Sequence, residues 1–165
     1  MKRIACIGTR QPLQHTELLE RIGTFLAAAG YVISTGNAVG SDQAFARGAN
    51  SVNPAQVELW LPWYSYERQA IVHGNQVHPG PQQWAYKLAE EHHPNWAACS
   101  RGATALHARN CHIVKGCTLY IALPGATRLG GTGQGMRVAE ALGIPILNLR
   151  KPEDLERVLA KLGCF

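Results

Sequence analysis

Residues 31–42 read YVISTGNAVGSD. Tyr31-Val32-Ile33-Ser34-Thr35 is a short, mostly apolar and β-branched run, which predicts a strand. Gly36-Asn37-Ala38-Val39-Gly40 follows as a loop, and Ser41 stands where it can cap a helix running to about Ala49. A buried strand that delivers a glycine-rich turn to a helix start is the repeating unit of a parallel α/β sheet. The same unit precedes it. Arg3-Ile4-Ala5-Cys6-Ile7 is an apolar run ending in Gly8-Thr9. Leu18, Leu19, Ile22, Phe25, Leu26 and Ala29 then recur at spacings of three and four on one helix face, with Thr16 as N-cap and Gly30 as αL C-cap. Downstream, Val57–Leu61, Thr118–Leu123 and Ile144–Leu149 read as strands. Residues 82–92, 101–115 and 134–142 read as helices, the second capped by Ser100 and stopped by Gly116. Pro152 opens a last helix with Leu155, Val158, Leu159 and Leu162 inward. The stretch Trp63–Gly80 is irregular and reads as an ordered loop over a site. The expectation is an α/β fold: one doubly wound parallel sheet of about five strands with helices on both faces.

The 165 residues fit one domain, 1–165, with a sizeable core, and 46% hydrophobic against 16% charged is an ordinary globular balance. No apolar run approaches the roughly 20 residues of a membrane span. The apolar stretch at the start stops after Ile7, too short for a signal-peptide core. The expected location is the cytoplasm, with no membrane partner. Five cysteines, an odd and scattered set, do not describe a disulfide framework. A net charge of +5 favours an anionic ligand, although the basic residues form no tract.

Ligands of an open parallel sheet sit beyond the carboxyl ends of its strands. Three segments fall there: Gly8-Thr9-Arg10; Gly36 to Asp42, with Asn37, Gly40 and Ser41; and Pro124 to Gly135, with Gly130, Gly131, Thr132, Gly133 and Gln134. Glycine lets the backbone approach a ligand, and the helix start that follows offers N–H groups and a positive dipole end to phosphate. There is no Gly-Lys-Ser/Thr and no acidic residue in the ribose-binding position, so neither a P-loop nor a dinucleotide fingerprint is present. No cofactor is expected. Arg10 and Arg128 lie in ligand-edge loops and suit phosphate, whereas Arg47 and Arg137 read as solvated. Asp42 reads as a ligand-edge residue and not a core carboxylate.

His92, His93, Cys99, His107, Cys111, His112 and Cys117 lie close in sequence, but without a CxxC or HxxxH pair they read as packing cysteines and surface histidines, and no metal is expected. Cys111, beside Arg109 and His112, is the one candidate nucleophile. Trp60, Trp63, Tyr64, Tyr66 and Trp84, with Arg68 nearby, suit base stacking, a dimer interface or plain packing.

Residues 34–44, STGNAVGSDQA, resemble the "SGGARGID–A" segment of the DNA-processing protein A (DNA recombination-mediator protein A) family. Arg109-Asn110 with Ile113 and Gly116 resembles that family's "RNR–I–G" segment. Leu123-Pro124-Gly125 followed by Gly130-Gly131-Thr132-Gly133 resembles the "PGG–GT" loop of the lysine-decarboxylase-like phosphoribohydrolases. His93-Pro94-Asn95-Trp96, Ser100-Arg101-Gly102, Leu106-His107 and Arg109-Asn110 resemble small stand-alone members from bacteriophage genomes. The resemblance spans about Ile4 to Leu149. It implies a Rossmann-like binder of a phosphorylated nucleotide or nucleotide sugar, with Arg109 and Asn110 joining the ligand loops, and a twofold homo-oligomer. Where the phosphoribohydrolases carry a catalytic glutamate, this chain has Gln134-Gly135-Met136, and the first carboxylate after the loop is Glu140. The second arginine of "RNR" is Cys111. Nucleotide binding is therefore the leading expectation. One alternative is a hydrolase of N-glycosidic bonds using Asp42, Glu67 or Glu140. The other is a single-stranded DNA-binding module using Arg10, Arg101, Arg109 and Lys115.

Overall fold

Ile4 and Cys6 join one buried cluster and Ala5 and Ile7 the other, as the alternation of a strand requires when both faces of its sheet are covered. The computed structural model describes residues 1–126 and 130–163. Its strands are β1 (Arg3–Gly8), β2 (Val32–Thr35), β3 (Val57–Leu61), β4 (Gln76–Pro79), β5 (Leu119–Leu123) and β6 (Ile146–Asn148). The helices are α1 (Thr16–Ala28), α2 (Ser41–Asn50), α3 (Gln83–His92), α4 (Arg101–Val114), α5 (Gly131–Ala141) and α6 (Pro152–Gly163). The six strands form one sheet in the order β4-β3-β2-β1-β5-β6, and every neighbouring pair is parallel. On one face Leu19, Ile22, Phe45, Val158 and Leu162 bring α1, α2 and α6 onto the sheet. On the other, Ala89, Ala108, Ile113, Met136 and Val138 do the same for α3, α4 and α5. The strand order reverses at β1 and β5, where Gly8 pairs with Leu123 at their carboxyl ends. A crevice opens at such a switch point.

The sheet has a sixth strand where a loop is expected. Gln76–Pro79 pairs with β3 from Glu58↔Gln76 to Leu61↔Pro79. It is an edge strand with one apolar side chain, Val77, and ends in Pro79. Edge strands tolerate both features, because only one side of the backbone is paired. Local details also differ. Thr16 is the first residue of α1 and not its cap, its hydroxyl donating to Leu13 O at 2.9 Å. Gly40 takes the cap position that Ser41 is expected to hold. Leu159 faces out at 42% exposure, leaving Leu155, Val158 and Leu162 toward the core. Ser100 does cap α4, accepting from Ala103 N at 3.1 Å, and Gly30 and Gly116 adopt the left-handed φ of helix stops. Among the described residues no helix is long and apolar enough to cross a membrane.

Candidate functional site

A cavity of about 500 Å³ sits at the switch point, within the size range of small-molecule sites. Its walls come from the end of β1 (Gly8, Thr9, Arg10), the inner face of α4 (His107, Arg109, Asn110) and the start of α5 (Gly130 to Gly133). Ile7, Ala103 and Leu106 give it an apolar side. α5 opens without a side-chain cap, so its first N–H groups are offered to whatever occupies the cavity.

Beneath the cavity lies a buried ionic framework. Asp42 is 2% exposed. Its Oδ1 accepts from Gly8 N (3.3 Å), and its Oδ2 accepts from Gly36 N (3.2 Å) and Ala38 N (3.3 Å). The carboxylate thus fastens the loop after β2 to the loop after β1. Burial pushes its pKa up, while the Arg109 guanidinium and these three N–H groups pull it back toward the ionised form. Arg109, equally buried, donates from Nη1 to Gly36 O and, at 3.1 Å, to Trp60 O, which ties the ends of β2 and β3 to α4. Its Nε donates to Asn110 Oδ1 (3.0 Å), and Asn110 Nδ2 donates to Gly131 O (3.1 Å), carrying the framework to the start of α5. The Tyr66 ring lies 5.4 Å from the Arg109 guanidinium. Glycine is required at Gly36 and Gly40, among other positions. A Cβ on Gly36 would stand 2.6 Å from Arg109 Nη1 and 2.8 Å from Asp42 Oδ2. Gly40 has φ +95° and packs its Cα against the backbone of Arg10.

The structure sorts the expected site residues into two groups. Gly8, Thr9, Arg10, Asp42, Arg109, Asn110, Gly130, Gly131, Thr132 and Gly133 line the cavity. Gly36, Asn37, Gly40, Ser41, Pro124 and Gln134 stand behind it. Ser41 Oγ donates to Thr9 O at 2.6 Å, and Asn37 Nδ2 reaches Glu67 O at 2.9 Å. Pro124 O accepts from Arg150 Nε at 2.9 Å. Gln134 turns away from the cavity: its Nε2 donates to Ala89 O at 3.0 Å and its Oε1 accepts from Arg137 Nε and Nη2 at 3.0 and 2.7 Å. Arg137 is therefore half-buried in the α3–α5 contact, whereas Arg47 is exposed and pairs with Glu20 at 2.9 Å. Asp42 lines the cavity, but against the expectation it is a buried carboxylate, 2% exposed, that organises the loops. Arg128 and Leu129 lie outside the described residues.

Other expectations are also revised. Cys111 is fully buried and its thiol is pushed up to about 12, which removes it as a nucleophile. Most of the aromatic region is used internally. Trp60 is stacked between His78 (4.1 Å) and His112 (4.7 Å), and Lys115 sits 4.1 Å over the Trp84 ring. Trp63 and Tyr64 stay exposed, with Arg68 stacked 4.0 Å over Tyr64. His107, expected to be a surface histidine, lines the cavity. Burial first, then the positive neighbours His93, Arg137 and Arg109, hold its imidazole down to about 4. Only its three-residue spacing from Asn110, on the same face of α4, signals that it looks into the site.

No protein-family model matches the chain, and no curated protein matches it. Solved structures do. DNA processing protein A from Helicobacter pylori, described for its single-stranded DNA binding mode, is similar with a TM-score of 0.62 and 18% identity, over 97% of this chain and 72% of that one. DNA processing protein A from Streptococcus pneumoniae is similar with a TM-score of 0.61 and 17% identity, over 90% of this chain and 50% of that one. The structural-genomics target TM1055 is similar with a TM-score of 0.58 and 16% identity, over 88% of this chain and 72% of that one. At these identities the likeness is one of fold, and the chain has the Rossmann-like parallel α/β architecture that these three proteins share.

Proposed function

We propose that the cavity binds a phosphorylated nucleotide or nucleotide sugar without hydrolysing it. The observation that carries this reading is the uncapped start of α5, Gly130 to Gly133, opening into a cavity that also holds the exposed Arg10. Backbone N–H groups, a positive helix end and a guanidinium suit phosphate oxygens. Ile7, Ala103 and Leu106 offer an apolar wall for the base or sugar face. Asp42 is the one carboxylate among the described lining residues, and its oxygens are occupied by three backbone N–H groups. This leaves the N-glycosidic hydrolase reading, which rests on Asp42, Glu67 or Glu140, without a free carboxylate among the described lining residues, since Glu67 and Glu140 do not line the cavity. Native mass spectrometry against a panel of nucleoside phosphates tests the proposal. A bound nucleotide that Gly131→Val removes supports it, because the added side chain would enter the cavity beside Asn110 Nδ2, 3.2 Å from the new Cβ. A panel without binders, or retention by the variant, overturns it.

A second reading has its own observation. Trp63, Tyr64 and Arg68 present an exposed aromatic and cationic surface just past the end of β3, and such surfaces stack bases. Single-stranded DNA is the partner it would take, and oligonucleotide binding that weakens steeply with salt is the signature.

A further inference from the structure

Outside the Asp42–Arg109 framework, one cluster brings two imidazoles and a thiol together. We propose that His93, Cys99 and His107 form a binding site for a zinc-class divalent cation in the wall of the cavity. Their ligand atoms all lie within 4.8 Å of one another. Cys99 Sγ is 3.7 Å from His93 Nε2. Two donors on one tetrahedral zinc, at about 2.3 Å for sulfur and 2.0–2.1 Å for nitrogen, stand about 3.6 Å apart. Thiolate with imidazole is the donor set that zinc and cobalt prefer over magnesium or calcium.

The fold brings these residues together through a short, non-repeating turn, which is why their spacing escapes any zinc-finger pattern. His93 follows the end of α3, Cys99 follows a single 3-10 turn at Trp96–Ala98, and His107 lies on the second turn of α4. Trp96 packs against both imidazoles, with ring centroids 5.9 Å from His93 and 6.4 Å from His107.

A second observation points to a missing partner. His107 Nδ1 is buried and has no hydrogen-bond partner among the described residues. A buried polar atom left unpaired is costly, and a ring nitrogen of this imidazole lies within 4.8 Å of the ligand atoms of His93 and Cys99. His107 also lines the cavity, so the ion stands in its wall. Three protein ligands leave a fourth position for water or for a donor from a bound molecule. Arg137 stands near both imidazoles and opposes a cation there; the Cys99 thiolate offsets it. On binding, the Cys99 thiol loses its proton to solvent as the Sγ–metal bond forms. Asn95 N donates to His93 Nδ1 at 3.1 Å, so the free ring carries its proton on Nε2. When Nε2 takes the metal that proton passes to Nδ1, and the Asn95 N–H, at the surface, turns to water.

The test uses cobalt(II) alone and then zinc(II) alone on the reduced full-length protein, with no nucleotide present, so its outcome is independent of the nucleotide reading. The expected result is one equivalent of cobalt, a thiolate-to-cobalt charge-transfer band, and displacement by zinc. Cys99→Ser abolishes the band, and Cys164→Ser leaves it intact. His93→Gln, at a half-exposed position that a folded protein tolerates, weakens binding by more than the roughly 10–100-fold that outer-shell partners carry. Absence of the band in the unmodified protein, its persistence in Cys99→Ser, its loss in Cys164→Ser, or unchanged affinity in His93→Gln each overturns the proposal.

Discussion

Replacing Asp42 by asparagine removes a charge and one acceptor from the centre of the site while barely changing its shape. The carboxylate accepts from Gly8, Gly36 and Ala38, two of these on Oδ2. An amide has one acceptor oxygen. If it keeps Gly36 and Ala38, its NH₂ faces the Gly8 N–H, and that buried donor is left unpaired at a cost of about 1–3 kcal/mol. The substitution also strips the negative partner from Arg109, which is 4% exposed. The two side chains interact through space and not by a direct ion pair, so this loss adds to the unpaired donor without reaching the cost of a broken buried salt bridge. A total of about 1–3 kcal/mol, at about 2–4 °C per kcal/mol for a chain of this length, lowers the melting temperature by about 2–12 °C. Thermal unfolding followed by circular dichroism, with urea unfolding as a check, measures it. A shift under about 2 °C with unchanged urea midpoint would refute the claim that Asp42 holds the loops together.

Three further outcomes follow from the same geometry. Gly36→Ala drives a methyl against Arg109 and Asp42 and destabilises the fold by about 1–3 kcal/mol, whereas Gly130→Ala, with nothing within 4 Å of the new Cβ, leaves the urea midpoint unchanged. His112 accepts the Gln82 N–H at 3.0 Å, and burial, helped by His78 and Lys115, lowers its pKa to about 4 from the ordinary 6.5. The unfolded chain therefore takes up the proton more readily, so this stability is fully present above about pH 6.5 and is lost as pH falls toward 4; His112→Gln, which keeps an acceptor, flattens the decline in melting temperature across that window. The exposed pair Trp63 and Tyr64 is also open to a second copy of the chain, the alternative to single-stranded DNA at that surface: a twofold dimer formed there gives twice the monomer mass in light scattering, and a Trp63→Ser, Tyr64→Ser double variant falls to the monomer. A monomer mass independent of concentration contradicts that reading.

The sequence carries most of the sheet because β1, β2, β3 and β5 are apolar runs closed by glycine or proline, and a strand buried on both faces has to be written that way. β4 is invisible for the complementary reason: Gln76, His78 and Pro79 satisfy an edge, where pairing with β3 and not side-chain burial makes the strand. That Gly8, Thr9, Arg10 and Gly130 to Gly133 lie at the carboxyl edge of the sheet and line its cavity is legible because each stands in a glycine-bearing turn after a strand. Gln134 misleads because it belongs to the same glycine run, yet a helix turns successive side chains by about 100° and its own points to α3. Asp42 shows the limit most clearly. Its place at a helix start is legible, but three N–H groups from two different loops converge on it only in three dimensions. The same holds for His93, Cys99 and His107, whose approach depends on the turn around Trp96.

The central claim is that the crevice between β1 and β5 binds a phosphorylated nucleotide, and its most direct test is the thermal stability of the protein with and without nucleoside phosphates. At a free ligand concentration 100 times its dissociation constant, binding adds about 2.7 kcal/mol, or about 5–10 °C in melting temperature. The expected result is a saturable rise of this kind that requires the phosphate, is absent with the matching nucleoside, and disappears in Gly131→Val while that variant's own unfolding stays cooperative. A flat melting temperature with every nucleotide up to millimolar concentration, or an equal rise with nucleoside and nucleotide, would contradict it.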